Sequence, residues 1–229
     1  MIRLLKKVWG KLPQSLRKFL WTHPIRHRMM DFYNRFTLPD ARVTNITLNE
    51  GPLVLAGLFS SSSGLGHAAR ITYKCLQQAG LQPIAVDLTK LFTKEDFQVD
   101  FLLKDAPEAS RGTLIIQING PELPFALHHL QFTRQKNWRI IAYWSWELAS
   151  FPSEWDRNFR YISEIWAISP FVANAFKSHP NCPPVYVLPH AIPKTSLGLT
   201  EARFSRADYD IPEKSFLFLC MADTLSSLE

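Results

Sequence analysis

The chain has 229 residues, 46% of them hydrophobic, with 9 glycines and 16 prolines, a composition that excludes a disordered or collagen-like protein. Its formal charge of +6 is uneven, because residues 1–30 carry eight Lys or Arg and no acidic residue, so that the remainder sums to −2 (18 basic minus 20 acidic). The body of the chain is therefore not a nucleic-acid binder, and three cysteines without metal-ligand spacing predict reduced thiols in a cytoplasmic protein and no metal site.

Residues 1–48 form a basic amphipathic extension. Between the cations of residues 1–30, apolar residues recur at roughly helical spacing, and Pro13 interrupts the pattern. Such a stretch is typical of a helix that lies on an anionic membrane surface, although it also occurs packed on its own domain. Peripheral attachment at the inner face of a membrane is therefore one of two expectations. No stretch reaches the roughly 20 apolar residues of a spanning helix.

Apolar strands alternate with helical patterns between residues 49 and 192. The predicted strands, in chain order, cover 52–59, 82–88, 113–118, 139–147, 164–169 and 185–192. The predicted helices cover 67–80, 126–132, 153–161 and 170–179. This alternation is typical of a parallel sheet that is buried on both faces, so we expect a doubly wound, Rossmann-like α/β domain.

Residues 193–229 have the pattern of a linker followed by the start of a second unit. The segment 193–215 is polar and rich in turn residues, and SFLFLCMAD at 215–223 predicts a strand. Because one strand cannot bury both of its faces by itself, we expect this strand to open a second α/β unit.

Polar residues that follow the predicted strands define the candidate site, because ligands of open parallel sheets bind beyond the carboxyl ends of the strands. After the first strand, the segment FSSSSGLGHAAR at 59–70 presents backbone N–H groups that could cradle an anion. Its glycines could equally serve only the turn and close helix packing. The candidate residues are Ser63, Gly64, Leu65, Gly66 and His67 in this segment, and Asn119, Trp144, Glu147, Ser169 and His190 after later strands.

Each of these side chains has a structural interpretation beside the functional one. His67 lies at a helix start, where the dipole disfavours a cation, so a neutral imidazole could donate to a substrate oxygen or simply lie at the surface. Trp144 or Trp146 could stack on a sugar ring. Glu147 could accept hydrogen bonds from a polyol or cap a turn, and His190 could belong to a pocket or to a hinge.

Several other kinds of site are excluded by spacing. The glycines are not a phosphate P-loop, because no Gly-Lys-Ser/Thr follows them, and they match a dinucleotide fingerprint only weakly, with Ala69 where the third glycine falls. No Gly-x-Ser-x-Gly elbow surrounds the serines, and no Cys/His cluster has the spacing of a zinc site.

Taken in order, four segments resemble a bacterial branch of the GT-B glycosyltransferases known as glycosyl transferases group 1. They are SSSSGLGHAAR, IIAYWSWELASFPSEW, EIWAISPFVANAF and VYVLPHAIP, of which the tryptophan-containing segment is the most specific. SFLFLCMADTLSSLE looks like the start of the nucleotide-binding domain of that family, so the resemblance covers residues 52–229.

The resemblance implies a retaining transfer of a hexosyl group from a nucleotide sugar to a glycan or lipid-linked acceptor, without a bound cofactor or metal. It also implies that the acceptor binds mainly to the first domain and that Gly64–Gly66 approach the donor phosphates. The donor-binding residues of the family have no counterpart in residues 193–229. We therefore expect an acceptor-side half, from a truncated chain or with the second domain on a separate chain, that is inactive alone.

Two other functions stay open at this point. The first is a non-catalytic module that binds a sugar or nucleotide without turnover. The second, more distant, is a small dinucleotide-binding enzyme.

Overall fold

The computed structural model describes residues 24–41, 50–132, 137–190, 192 and 205–218. Of the predicted amphipathic extension at 1–48, residues 1–23 and 42–48 lie outside these ranges, as do residues 193–204 of the predicted linker at 193–215. No helix within the described ranges is long and apolar enough to cross a membrane. By their contacts the residues divide into two units, Met1–Ile192 and Pro193–Glu229.

Six strands within the described ranges form one all-parallel sheet in the order β2-β1-β3-β4-β5-β6. The strands are β1 Leu53–Gly57, β2 Ile84–Asp87, β3 Arg111–Gln117, β4 Asn137–Trp144, β5 Glu164–Ala167 and β6 Val185–Val187. The α-helices are α1 Pro24–Thr37, α2 Gly64–Gln78, α3 Thr89–Phe92, α4 Leu123–His129 and α5 Pro170–Lys177. Two 3-10 helices, Gly120–Glu122 and Ser153–Tyr161, complete the connections. The predicted α/β class with a doubly wound parallel sheet is confirmed.

Both faces of the sheet are buried, which is why the strand sequences are continuously apolar rather than alternating. Leu55, Ile115 and Ile141 of adjacent strands pack beneath α2, on what we call the α2 face. On the opposite face, Val54 and Leu114 belong to a larger core that also includes residues of α4, α5 and the 3-10 helix at 153–161. We call this the aromatic face.

Four elements differ clearly from their predicted bounds or type. Strand β4 ends at Trp144, three residues before the predicted end, and β6 ends at Val187 instead of residue 192. The segment 153–161 is a 3-10 helix that no side chain caps, where the sequence pattern predicts an ordinary helix. Helix α2 begins at Gly64 rather than residue 67, because the Ser63 hydroxyl caps it by accepting a hydrogen bond from the Gly66 N–H.

The second unit is described over residues 205–218. It contains a short 3-10 helix, Ala207–Tyr209, preceded by Ser205, whose N–H donates to Asp208 Oδ2 over 2.6 Å. Residues 216–218 of the predicted strand have no regular structure, and the rest of that segment lies outside the described ranges. Within 205–218 there is no second strand to satisfy the backbone groups of a first one, which accounts for this difference.

Candidate functional site

The order of the strands marks one point at the carboxyl edge of the sheet as the expected ligand site. From β1 the chain winds to β2 on one side and then returns to place β3 on the other side of β1. In open parallel sheets the crevice at such a switch of direction is where ligands bind. The segments that flank it are residues 58–66, called here the serine–glycine loop, and residues 118–122 after β3.

The serine–glycine loop is held in place by hydrogen bonds to the segment that follows β2. The Ser62 N–H and hydroxyl both donate to the Asp96 carboxylate, over 2.6 and 2.8 Å. These bonds are the main reason why the pKa of Asp96 lies below its ordinary value. The Ser60 N–H donates to Thr89 Oγ1 over 3.1 Å. The loop therefore has a fixed backbone.

Arg70 also holds the serine–glycine loop in place. The sequence pattern did not predict this role. The Arg70 guanidinium is buried and donates to the carbonyl oxygens of Phe59 and Ser61, over 2.7 and 2.6 Å, and it lies 3.7 Å from the centre of the Phe97 ring. Burial lowers the Arg70 pKa, and the nearby Asp96 opposes this effect. The sequence does contain a signal for it, because Arg70 adjoins Ala69 in the buried stripe of α2.

Within the loop, the two glycines have different roles. A Cβ on Gly66 would lie 2.6 Å from the Leu58 carbonyl oxygen and closer still to that of Ser61. A Cβ on Gly64 would meet no atom within 4 Å. Gly66 is therefore required for close packing of the helix start, as the structural interpretation proposed, whereas Gly64 borders open space.

Only part of the predicted anion cradle is available. The Gly66 N–H is used by Ser63, and the His67 N–H donates to the Ser63 carbonyl over 2.9 Å. In the part of the chain that the structure describes, the N–H groups of Gly64 and Leu65 have no hydrogen-bond partner. They lie in the first turn of a 15-residue helix, where the positive end of the dipole attracts anions.

Two predicted histidines lie near each other on the α2 side of this edge. His67 is exposed on the first turn of α2, and the ring of His190 lies 5.6 Å from that of Tyr143. Tyr143 also donates its hydroxyl to the Leu188 carbonyl over 2.9 Å, which holds the segment after β6 against the sheet. Partial burial, and secondarily the charge of His67, lower the pKa of His190. A lowered pKa favours a neutral imidazole at pH 7, able to donate or accept a hydrogen bond.

We expect NMR titration to find the pKa of His190 below its ordinary value of 6.5 and to find it raised when His67 is replaced by glutamine. The rise should be partial, because burial is the larger cause. A group whose pKa is depressed by folding stabilises the protein above pH 6.5 and loses that contribution as the pH falls toward its folded-state value. His128, whose pKa is lowered by burial alone, is the internal control. An unchanged His190 pKa in His67→Gln would contradict the proximity of the two rings.

Trp144 does not reach the site. It is the last residue of β4 and only 1% exposed, because its ring points into the core of the aromatic face. Trp146, two residues later, is partly exposed and donates its Nε1–H to the Ser150 carbonyl over 2.8 Å. Of the two tryptophans predicted to stack on a sugar, Trp146 is thus the accessible one. The aromatic rings around Trp144 are Phe151, Trp155, Phe159 and Phe176.

The remaining predicted residues also follow strands at the carboxyl edge of the sheet, and they make different contacts there. Asn119 is exposed after β3, and its N–H donates to Glu122 Oε2 over 3.2 Å. The Ser169 hydroxyl accepts from the Val172 N–H over 3.3 Å and thereby caps α5. Glu147 is exposed in the loop after β4. The structure therefore brings Asn119 to the switch of strand direction, whereas Ser169 has a structural task.

Gln117 is a further residue that the sequence did not single out. It ends β3, is 2% exposed, and pairs in register with Gly57 of β1. Its Oε1 atom is buried, and no partner for it is found among the described residues. A lone amide within the apolar strand sequence TLIIQI is the signal that could have identified it, since buried polar groups are nearly always hydrogen-bonded.

Comparisons with known proteins identify no relative of this chain. A scan against protein-family models and searches of curated proteins and of solved structures find no match for the chain. Among the residues that the structure describes, no three His, Cys, Asp or Glu side chains are grouped as metal ligands would be.

Proposed function

We propose that residues 49–192 are the acceptor-side domain of a retaining glycosyltransferase of GT-B architecture, which uses a nucleotide sugar as co-substrate. The observation that supports this most directly is the pair of unpartnered N–H groups of Gly64 and Leu65 at the start of α2, beside the switch of strand direction. Fixed N–H groups at a helix start suit the phosphates of a nucleotide sugar. Because the loop is held by Asp96 and Arg70, they need no reorganisation to bind.

The surrounding side chains supply the other contacts in this proposal. His67 and His190 flank the glycine residues on the α2 side and donate to oxygens of the donor phosphates or of the transferred sugar. On the other side, the exposed part of the Trp146 ring covers the apolar face of an acceptor sugar, and Glu147 accepts hydrogen bonds from its hydroxyls. Stabilising the negative charge that develops on the leaving phosphate is the main catalytic task of such a site.

A lipid-linked acceptor is favoured over a free glycan by the charge of residues 1–30. Eight cations without an acidic residue are attracted to the anionic inner surface of a membrane. We expect transfer to require a donor-binding domain in addition to residues 49–192, as in the family that the sequence resembles.

Isothermal titration of the 229-residue chain tests the phosphate site. UDP-glucose or GDP-mannose should bind, and Gly64→Val should weaken that binding about tenfold, about 1.4 kcal/mol, by placing a side chain before the free N–H groups. Gln78→Val, exposed at the other end of α2, is the matched control and should bind as the unaltered chain does. Equal affinity in Gly64→Val would remove the cradle from the proposal.

The alternatives give different results in the same titrations. A small dinucleotide-binding enzyme would bind NAD and ignore nucleotide sugars. A non-catalytic module would bind a nucleotide sugar but stay silent in a transfer assay after a donor-binding domain of the resembled family is supplied. Transfer restored by that domain would support the glycosyltransferase.

A further inference from the structure

Gln117 places a buried amide on the α2 face of the sheet, at the edge where ligands of such sheets bind. It is the last residue of β3 and shares the α2 face with Ile115, because side chains alternate along a strand. Gln117 is 2% exposed, and its Oε1 atom has no hydrogen-bond partner in the part of the chain that the structure describes. Bulk water does not reach such an atom, so a donor that satisfies it has to come from a bound molecule.

The neighbours of Gln117 form a row across three adjacent strands, which we call the amide row. Gly57 of β1 pairs with Gln117 in register. On the other side lies Tyr143 of β4, since it follows Ala142, which pairs with Ile116. Burial raises the pKa of Tyr143 to about 12, so its hydroxyl stays protonated at pH 7. The amide row, Gly57, Gln117 and Tyr143, is therefore polar and uncharged.

Two histidines lie near the amide row. His67 is exposed on the first turn of α2, and the ring of His190 lies 5.6 Å from that of Tyr143. The two histidines are near enough to each other that the charge of His67 contributes to the lowered pKa of His190. Hydrogen-bonding side chains thus approach the row both from α2 and from the segment after β6.

The amide row and the free N–H groups of α2 are more than one helical turn apart. A Cβ on Gly57 would lie 2.8 Å from the Cβ of Ala69, so Ala69 marks where α2 meets the row. Ala69 comes five residues after Gly64 in α2, which corresponds to about 7.5 Å along the helix axis. The two sets of groups can therefore contact different parts of one ligand, an anionic part at Gly64 and Leu65 and an uncharged part at Gln117.

We propose that Gln117 is a specificity-determining residue, whose Oε1 atom accepts a hydrogen bond from a hydroxyl of the sugar in a nucleotide-sugar donor. This inference rests on the proposed function and adds a contact for the sugar to the contact for the phosphates. A hydroxyl supplies the donor that Oε1 lacks. A ligand without a hydroxyl at that position leaves the oxygen unpaired, which is how a buried polar group discriminates between substrates.

A purely structural role for Gln117 would give a different result on substitution. An unpartnered buried oxygen lowers stability relative to an apolar side chain of similar length. Gln117→Met should therefore unfold at the temperature of the unaltered chain or above it. A glutamine kept for the stability of the fold, or one satisfied by an internal water, would instead lose stability when it is replaced by methionine.

Isothermal titration of the full chain tests the contact with the sugar. UDP-glucose should bind about tenfold more tightly than UDP, and Gln117→Met should remove this difference while leaving the affinity for UDP unchanged. Gln78→Met, the same exchange at an exposed position of α2, should keep the difference. One monodeoxy analogue of UDP-glucose should bind the unaltered chain about tenfold more weakly than UDP-glucose and lose nothing further in Gln117→Met. A difference between UDP-glucose and UDP that persists in Gln117→Met would overturn the inference.

NMR separates this inference from the phosphate site. The side-chain amide signals of Gln117, assigned by their absence in Gln117→Met, should shift with methyl α-glucoside, which has hydroxyls and no phosphate. The backbone amides of Gly64 and Leu65 should shift with UDP.

The outcomes of these two titrations are distinct. Shifts at Gly64 and Leu65, with none at Gln117 in UDP-glucose, would overturn the inference and leave the phosphate site in place. A shift of Gln117 with the glucoside, with none at Gly64 and Leu65 in UDP, would support the inference and overturn the phosphate site. Signals that no ligand moves would overturn both.

Discussion

Gly66→Val should lower the free energy of unfolding by about 3 kcal/mol, at the upper end of overpacking costs, because the added side chain meets backbone rather than flexible atoms. A Cβ at this position overlaps the carbonyl oxygens of Leu58 and Ser61, and Ser61 is itself bonded to Arg70. Relieving the overlap would require the helix start and the loop to separate. Urea unfolding followed by circular dichroism measures the loss.

Gly64→Val, two residues earlier, is the control for this experiment. Nothing lies within 4 Å of the position where its Cβ would be, so its free energy of unfolding should change by less than about 1 kcal/mol. Comparable losses in the two variants would contradict the assignment of packing to one glycine and ligand access to the other. The same contrast makes Gly64 the appropriate position at which to test phosphate binding, since Gly66→Val would confound affinity with folding.

Trp144→Ala should cost about 3–5 kcal/mol of stability, the range for truncating a large aromatic residue in a core. The Trp144 ring is 1% exposed and contacts four other aromatic rings, so its removal leaves a cavity that rigid neighbours cannot fill. The shift of the urea midpoint, with the m-value as a check on two-state unfolding, measures this loss.

Trp146→Ala is the matched comparison, because Trp146 is only partly buried and has Phe151 and Trp155 as its aromatic neighbours. We expect a loss of about 1 kcal/mol, the typical value for a single substitution. If Trp146→Ala were the more destabilising variant, the two tryptophans would have exchanged roles, and Trp144 would return as the candidate for stacking on a sugar.

The parallel α/β class could be predicted from the strands alone. The apolar runs that become β1 and β3 have no polar alternation, and runs of this kind separated by helices have few stable arrangements other than a parallel sheet covered on both sides. Successive side chains of β1 alternate between the two faces, with Leu55 on the α2 face and Val54 on the aromatic face. This alternation does not help to identify the fold class, because both faces are buried.

Residues of the site could be predicted less well, since their roles depend on where an element ends. The sequence places Trp144 and Trp146 in one predicted strand, but β4 ends between them, so one ring enters the core while the other remains partly exposed. Similarly, a serine beside a helix start can either line a pocket or cap the helix, and the backbone conformation at that helix start decides which. Ser63 and Ser169 both proved to be caps.

The hydrophobic pattern along the chain is sufficient to predict the α/β architecture, because periodicity is a local property of each segment. The order of the strands and the contacts that hold the serine–glycine loop became known only from the folded structure. Asp96 bonds to Ser62 of the serine–glycine loop across 34 positions, and Asp31 reaches Arg157 across 126 positions. Such long-range pairs leave no periodic trace, since each is fixed by the packing of whole elements.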